Sequence, residues 1–422
     1  MDFSVTEEKK QVMGACLKVI GVGGGGGNAV NSMASCPEMS MVTFIIANTD
    51  AQALDTSPVI HKIQLGEKIT KGLGAGSNPE VGRRAAEEDL DEVVGLIKGA
   101  DILFLTGGMG GGTGSGALPV IATAARELGI LTVGVVTKPF TFEGRRRMAH
   151  AEQAISHLKQ SVDTLLVVPN QKLLDSVDPK ISMLDAFALS NNVLKQAIKG
   201  ISDIITKPGH INVDFADVRS IMKDMGLAIM GIGRKSGEGR AREAALQAIT
   251  SPLLEEVSIQ GARGVLINVT GNIHLGLHEI NDAAEVIYEL VSEDANIILG
   301  SVIDEALGDE IMVTVIATGF EQDAQVYDYA AARNSQRYQT LHHMPPHAAR
   351  AVSSPVASKS STYGDVVNPQ APMQHQATTH AARQERLEEV GGSLDMHDLD
   401  TPTFMRKKNP EREDDRRITL VK

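Results

Sequence analysis

Between residue 16 and about residue 170 the chain alternates short apolar runs rich in β-branched residues with longer stretches of helical period. The runs are CLKVIGV, VTFIIAN, ADILFLT, ILTVGVV and TLLVVP. Few folds accept that order. Strands separated by helices form βαβ units, which build a mostly parallel sheet covered on both faces. In such a sheet the loops that follow the strands gather along one edge. The spacing predicts a helix opening at Asn78-Pro79-Glu80, with Asn78 as cap, and running on through VGRRAAEEDLDEVVGLIKG. A second, longer helix opens at Ser182, with Asp185 three residues on, and carries Leu184, Phe187, Val193, Leu194, Ile198, Ile201 and Ile205 until Pro208-Gly209 stops it. Beyond it, GLAIMGIG, GVLINVTG, NIILGSVI and EIMVTVIATGF predict another, smaller sheet ending near Phe320.

Two of the strand ends are unusual. IGVGGGGGNAV at 20–30 and GGMGGGTGSG at 107–116 each follow a strand and lead into a helix. Glycine inside an element costs up to about 1 kcal/mol against alanine, so such clusters imply close approach of a ligand to backbone N–H groups. The first loop alone matches G-x-G-x-x-G, and Asp50 after the next strand imitates the acidic ribose contact of a dinucleotide fold. Close strand-to-helix packing also explains a lone motif of that kind. A second, richer loop on the same sheet points instead to one ligand held by two helix N-termini, hence a polyphosphate. The lysine of a G-x-x-x-x-G-K-[ST] loop is absent, so charge neutralisation would fall more to Mg2+, held chiefly by phosphates and water.

A chain of 422 residues with 42% hydrophobic residues can bury a substantial core. Its net charge of −13 argues against an extended nucleic-acid surface. Two cysteines, Cys16 and Cys36, and the absence of an apolar leader or of an 18-residue apolar run predict a reducing cytoplasm and no direct membrane insertion. From about Gln322 the periodicity fades. Residues 335–383, rich in Gln, His, Pro, Ala, Ser and Thr, read as a flexible linker. It leads to LDTPTFMRKK at 399–408, where Leu399, Phe404 and Met405 are isolated apolar residues.

GGGTGSG at 110–116 resembles the tubulin signature. Together with IGVGGGGGNAV, GLGAGSNPEVG at 72–82, TKPFTFEGRRRM at 137–148 and NVDFADVR at 212–219, it makes the chain similar to the bacterial tubulin-like cell-division GTPases of the FtsZ family, in order from about residue 12 to 320. The resemblance implies an α/β tubulin-like fold: a flexible N-terminus (1–14), a GTP-binding domain (15–181), a central helix (182–208), a smaller C-terminal domain (209–320), a disordered linker (321–394) and a partner-binding peptide with an extension (395–422). It implies that Gly24, Gly25, Gly26, Gly27 and Asn28, with Gly110, Gly111, Gly112, Thr113, Gly114, Ser115 and Gly116, cradle the phosphates of GTP or GDP. Ala75, Gly76, Ser77 and Asn78 would cover the γ-phosphate. Glu143 and Arg147 would reach the ribose, although an i,i+4 surface pair also explains them. Asn170, Phe187 and Asn191 would line the sugar and base pocket. Asn192 stands where most of the family has aspartate, so an amide oxygen replaces the expected acceptor for guanine. Asp400, Pro402, Phe404, Met405 and Arg406 match the family's end peptide. This implies docking to FtsA-like or ZipA-like tethering proteins and division-site regulators, and a ring at mid-cell on the inner face of the cytoplasmic membrane.

Asp214 and Asp217 resemble the family's catalytic pair, with Asn212 positioning their loop. Capping by Asp217 ahead of VRSIMKDM is the simpler account of that residue alone. If Phe187 and Asn191 touch the nucleotide, the rest of the helix carries the chain roughly 20 to 25 Å away before Asp214 appears. The carboxylates then reach only the nucleotide of another subunit, stacked head to tail, and hydrolysis requires a filament. Two other readings stay open: a dinucleotide-dependent oxidoreductase, and a tubulin-like filament that segregates DNA.

Overall fold

The structure is a computed structural model, and it describes residues 14–207, 209–254 and 259–320. Ten strands form one sheet: β1 (Leu17–Val22), β2 (Thr43–Asn48), β3 (His61–Gln64), β4 (Ile102–Gly108), β5 (Leu131–Lys138), β6 (Thr164–Pro169), β7 (Gly226–Ser236), β8 (Gly264–Gly271), β9 (Asn296–Ile303) and β10 (Glu310–Thr318). Their order is β3-β2-β1-β4-β5-β6-β7-β10-β8-β9. From β3 through β6 every pairing is parallel, as the βαβ alternation predicts. β10 runs antiparallel between β7 and β8.

The apolar runs are continuous because both faces are covered. Along β1 and β4, Val19 and Phe104 join a core with Val30, Leu194 and Ile198 on one face. Ile20, Leu103 and Leu105 join Leu118 and Ile155 on the other. The second half has its own core, in which Val265, Ile267, Val313 and Val315 pack on Ala244 and Ala248.

Two expectations need correction. The second sheet is not separate: β7 continues the first, pairing with β6 over Thr164↔Gly226, Leu165↔Leu227 and Leu166↔Ala228. Beyond Leu166 the strands part, and Leu253 lines the gap with Val167, Val168, Ile229 and Met230. The helix after Asn78 is also not continuous. It runs Pro79–Glu88, breaks at Asp89 (φ −111°, ψ 22°) and resumes over Leu90–Ile97. The break has a tertiary cause, because the Asp89 carboxylate accepts the N–H of Gly66 across the fold.

The central helix spans Met183–Thr206, 24 residues and about 36 Å. Ser182 caps it as expected, accepting the Asp185 N–H at 3.1 Å. Near its other end Lys199 is buried among three carboxylates: Asp203 at 2.7 Å, Asp304 at 3.1 Å and Glu38 at 3.1 Å. Burial alone would lower the Lys199 pKa, but hydrogen bonds to these carboxylates hold it above its ordinary value. Burial would likewise raise Asp304, yet the Lys199 ammonium holds it below the usual carboxylate range. This cluster ties the loop after the first helix to the central helix and to the end of β9. Among the described residues no helix is long and apolar enough to cross a membrane.

Candidate functional site

β1 and β4 are neighbours, paired from Leu17↔Ile102 to Gly21↔Thr106. The chain winds outward from this pair in both directions, to β2 and β3 on one side and to β5 and β6 on the other. Ligands of open α/β sheets bind at such a reversal of strand order, beyond the C-terminal ends. Both glycine loops lie there. The first opens the helix Gly23–Ala34 and the second the helix Thr113–Glu127, and neither helix has a side-chain N-cap. Two sets of first-turn N–H groups, each at the positive end of a dipole, are therefore left for an anion.

The glycines divide by what surrounds them. A Cβ on Gly26 would lie 2.4 Å from the carbonyl oxygen of Thr106, and one on Gly25 would lie 3.1 Å from the Gly108 nitrogen. In the second loop, Cβ atoms on Gly110, Gly112, Gly114 and Gly116 would meet Arg147 O, Ala75 Cβ, Gly108 O and Pro79 O at 2.5, 2.8, 3.0 and 2.0 Å. Gly110 also has φ +93°. These positions are bare because the protein packs on them, which corrects the expectation that a ligand alone demands it. Gly24, Gly27 and Gly111 face open space. A cleft lined by Gly24, Gly27, Asn28, Asn48 and Ala53 continues from the first loop.

The 72–78 loop closes on the second glycine loop, with Ala75 buried against Gly112. Gly76 and Ser77 both adopt positive φ, +56° and +59°, and Asn78 caps the following helix by accepting the Glu80 N–H at 3.0 Å. Ser115 does not point a free hydroxyl outward: it is buried, and its Oγ accepts the Gly110 N–H at 2.8 Å. The Thr113 hydroxyl meets that of Thr49 at 2.7 Å.

Glu143 and Arg147 form an ion pair at 3.1 Å, and the other Glu143 oxygen accepts the Phe140 N–H at 2.9 Å. This pair fixes the TFEG turn, and Arg147 abuts Gly110, so the turn and the second glycine loop are in contact. Asn170, at the end of β6, is buried and accepts the Ser190 hydroxyl at 2.6 Å. About one turn before Ser190 stands exposed Phe187, and half-buried Asn191 and Asn192 follow Ser190 directly along the helix. Phe187 meets Phe140 edge to face at 5.3 Å, and Phe140 stacks on Phe142 at 5.2 Å. The Asn191 and Asn192 side chains have no hydrogen-bond partner among the described residues.

Residues 16–178 match the tubulin/FtsZ family GTPase domain, and residues 226–321 match the FtsZ family C-terminal domain. The fold superposes on an empty FtsZ dimer of M. jannaschii with a TM-score of 0.70 at 42% identity, over 73% of this chain and 89% of that one. The chain belongs to the FtsZ family. It shares its fold, at 20% identity and a TM-score of 0.64, with a GTPγS-bound protofilament of CetZ2 from Haloferax volcanii, over 77% of this chain and 99% of that one. This FtsZ-family chain is thus a tubulin-like GTPase whose family binds GTP and GDP.

Asp214 and Asp217 of this FtsZ-family chain lie elsewhere. Asp214, not Asp217, caps the helix Phe215–Met222, accepting the Asp217 N–H at 2.8 Å. Asp217 sits in the first turn and both side chains are exposed. Asn212 accepts the Gly209 N–H at 2.9 Å and braces the loop ahead of them. Their helix docks at the N-terminal edge of the parallel strands: Arg219 donates to Gly129 O just before β5, and the Thr164 hydroxyl, at the start of β6, donates to Met222 O. The glycine loops occupy the C-terminal edge, and β5 alone, eight residues long, separates the edges by about 26 Å. Leu399, Asp400, Pro402, Phe404, Met405 and Arg406 lie outside the described residues. Sequence reasoning passed over Thr49, Ser190, Phe140 and Phe142. Thr49-Asp50 at a strand end on the same edge was the available signal.

Proposed function

We propose that this chain polymerises head to tail in a GTP-dependent way and hydrolyses GTP between subunits, forming a division ring beneath the cytoplasmic membrane at mid-cell. One observation carries the reading: the glycine loops and the two carboxylates stand on opposite edges of one sheet. Neither half is complete alone. Stacking the Asp214 edge of one copy on the glycine edge of the next completes it, and a contact of that kind propagates as a filament.

On this reading the open N–H groups around Gly24, Gly27 and Gly111 take the phosphates, and Ala75 to Asn78 lie over the γ-phosphate. Glu143 and Arg147 orient the ribose, and Asn170, Phe187, Asn191 and Asn192 hold guanine. Asp214 and Asp217, supplied by the next copy, accept a hydrogen bond from the attacking water and orient it in line with the γ-phosphorus. Among the described residues no group of three His, Cys, Asp or Glu side chains stands close enough to hold a metal ion. A Mg2+ would therefore take phosphate oxygens and water as ligands and neutralise charge on the phosphates. The end peptide at 399–406 would dock FtsA-like or ZipA-like proteins.

Complementation tests the shared site. Gly24→Asp places a carboxylate in open space at a helix N-terminus, where it is tolerated but repels phosphate. Asp214→Ala keeps the glycine edge and removes the other half. Each variant alone should lose nearly all turnover, and the mixture should regain part of it. Turnover linear in protein concentration, with no rescue on mixing, would place hydrolysis within one subunit.

A further inference from the structure

Thr49 lies outside the motifs singled out in the sequence, yet hydrogen bonds from two loops converge on it. It follows β2 and is fully buried. Its Oγ1 lies 2.7 Å from Oγ1 of Thr113, the first residue of the helix Thr113–Glu127. Its carbonyl oxygen accepts the Gly74 N–H at 3.1 Å and lies 3.2 Å from the Thr70 hydroxyl, whose proton it shares with Gly66 O at 3.0 Å. One residue thereby joins the second glycine loop to the loop at 72–78.

We infer that Thr49 is a positioning residue: it donates its hydroxyl proton to Thr113 and so turns the Thr113 hydroxyl outward as a donor to a phosphate oxygen. The inference rests on the phosphate placement proposed above. Its direction follows from burial. In a pair of hydroxyls one donates and the other accepts. Thr49 is 0% exposed, and Thr113 Oγ1 is the acceptor its hydroxyl meets among the described residues. If Thr113 donated instead, the Thr49 proton would be buried without an acceptor and carry the full desolvation penalty. Thr113 is half-buried, so its own proton has somewhere else to go. The helix it opens leaves its first N–H groups unpaired, which draws an anion to that side. The bond to Thr49 thus fixes both the position and the direction of the Thr113 hydroxyl.

The test uses the full chain and a fluorescent GTP analogue, titrated at protein concentrations too low for assembly. Thr49→Val removes the hydroxyl at nearly constant shape, and Thr49→Ala removes it with a smaller side chain. Each should raise Kd about fivefold, the value of one oriented hydrogen bond, while Thr49→Ser should stay within about twofold. In a Thr113→Val background Thr49→Val should change nothing further, because it acts through Thr113. A purely structural role predicts the same loss in both backgrounds. That result, or an unchanged Kd in Thr49→Val and Thr49→Ala, overturns the inference while leaving the phosphate site in place. Failure of the parent protein to bind the analogue removes the phosphate placement, and the inference falls with it.

Discussion

The two glycine loops look alike in sequence and differ in what their glycines are for. In the second loop nearly every missing side chain makes room for another part of the same protein: Arg147 over Gly110, Ala75 and Asn78 over Gly112, Pro79 and Arg83 over Gly116. The first loop is packed at Gly21, Gly23, Gly25 and Gly26 but leaves Gly24 and Gly27 bare towards open space. One loop is a hub around which three segments close. The other leaves two of its glycines open. A run of glycines therefore reports close approach without saying by what, and only the neighbours decide it.

The largest effect should come from adding one methyl group to the hub. A Cβ on Gly116 would sit 2.0 Å from Pro79 O and 2.5 Å from the Arg83 nitrogen, both backbone atoms that cannot swing aside. Gly116→Ala should then cost about 3 kcal/mol or more without any nucleotide present, since overpacking against backbone forces two helices apart. Urea unfolding of the nucleotide-free protein measures it. A midpoint equal to the parent's would show that the second loop is as open as the first.

Acid should separate the loops by a different route. The helix behind the first loop is followed by Glu38, which reaches the Lys199 cluster, whereas the helix behind the second is held by the steric contacts just described. Asp304 in that cluster has its folded pKa held below its unfolded value. Its stabilising contribution is therefore complete above the unfolded value, about pH 4, and is lost as pH falls through the lower folded value. Amide exchange between pH 5 and 3, corrected for intrinsic rates, should accelerate several-fold in residues 23–39 and leave 113–127 protected. Equal acceleration in both helices would mean that the charge cluster does not serve the first loop in particular.

How much of this was legible in the sequence follows the range of the forces involved. The parallel sheet, the caps at Asn78 and Ser182 and the position of both loops depend on local pattern, and they stand in the structure as read. The break at Asp89 depends on Gly66, 23 residues away, and the joining of β6 to β7 on a three-residue ladder between distant segments. No local period announces either. Within the site the residue types were readable but their partners were not. Ser115, which the sequence offers as a hydroxyl for phosphate, also braces Gly110, and Thr49, outside the motifs singled out in the sequence, meets the hydroxyl of Thr113. Asp214 and Asp217 stand three apart in a capping pattern that fits either as the cap, and only the backbone shows that Asp214 takes that place.

The smallest effect is the most diagnostic, because its sign reverses between the loops. Gly27 lies inside the helix Gly23–Ala34, with nothing within 4 Å of where its Cβ would stand. In a helix interior glycine costs roughly 0.5–1 kcal/mol relative to alanine, part of it through the freedom it gives the unfolded chain. Gly27→Ala should therefore raise the stability of the nucleotide-free protein by about 0.5 kcal/mol, where Gly116→Ala lowers it. If the open face of Gly27 is where phosphate approaches the backbone, the same methyl group should weaken GTP binding even as the fold tightens. Stability and affinity would then move in opposite directions at one residue. A gain in stability with unchanged affinity would place the ligand away from Gly27 and against Gly24 and Gly111 alone. A loss of stability would mean that the first loop, like the second, is bare because the protein packs upon it.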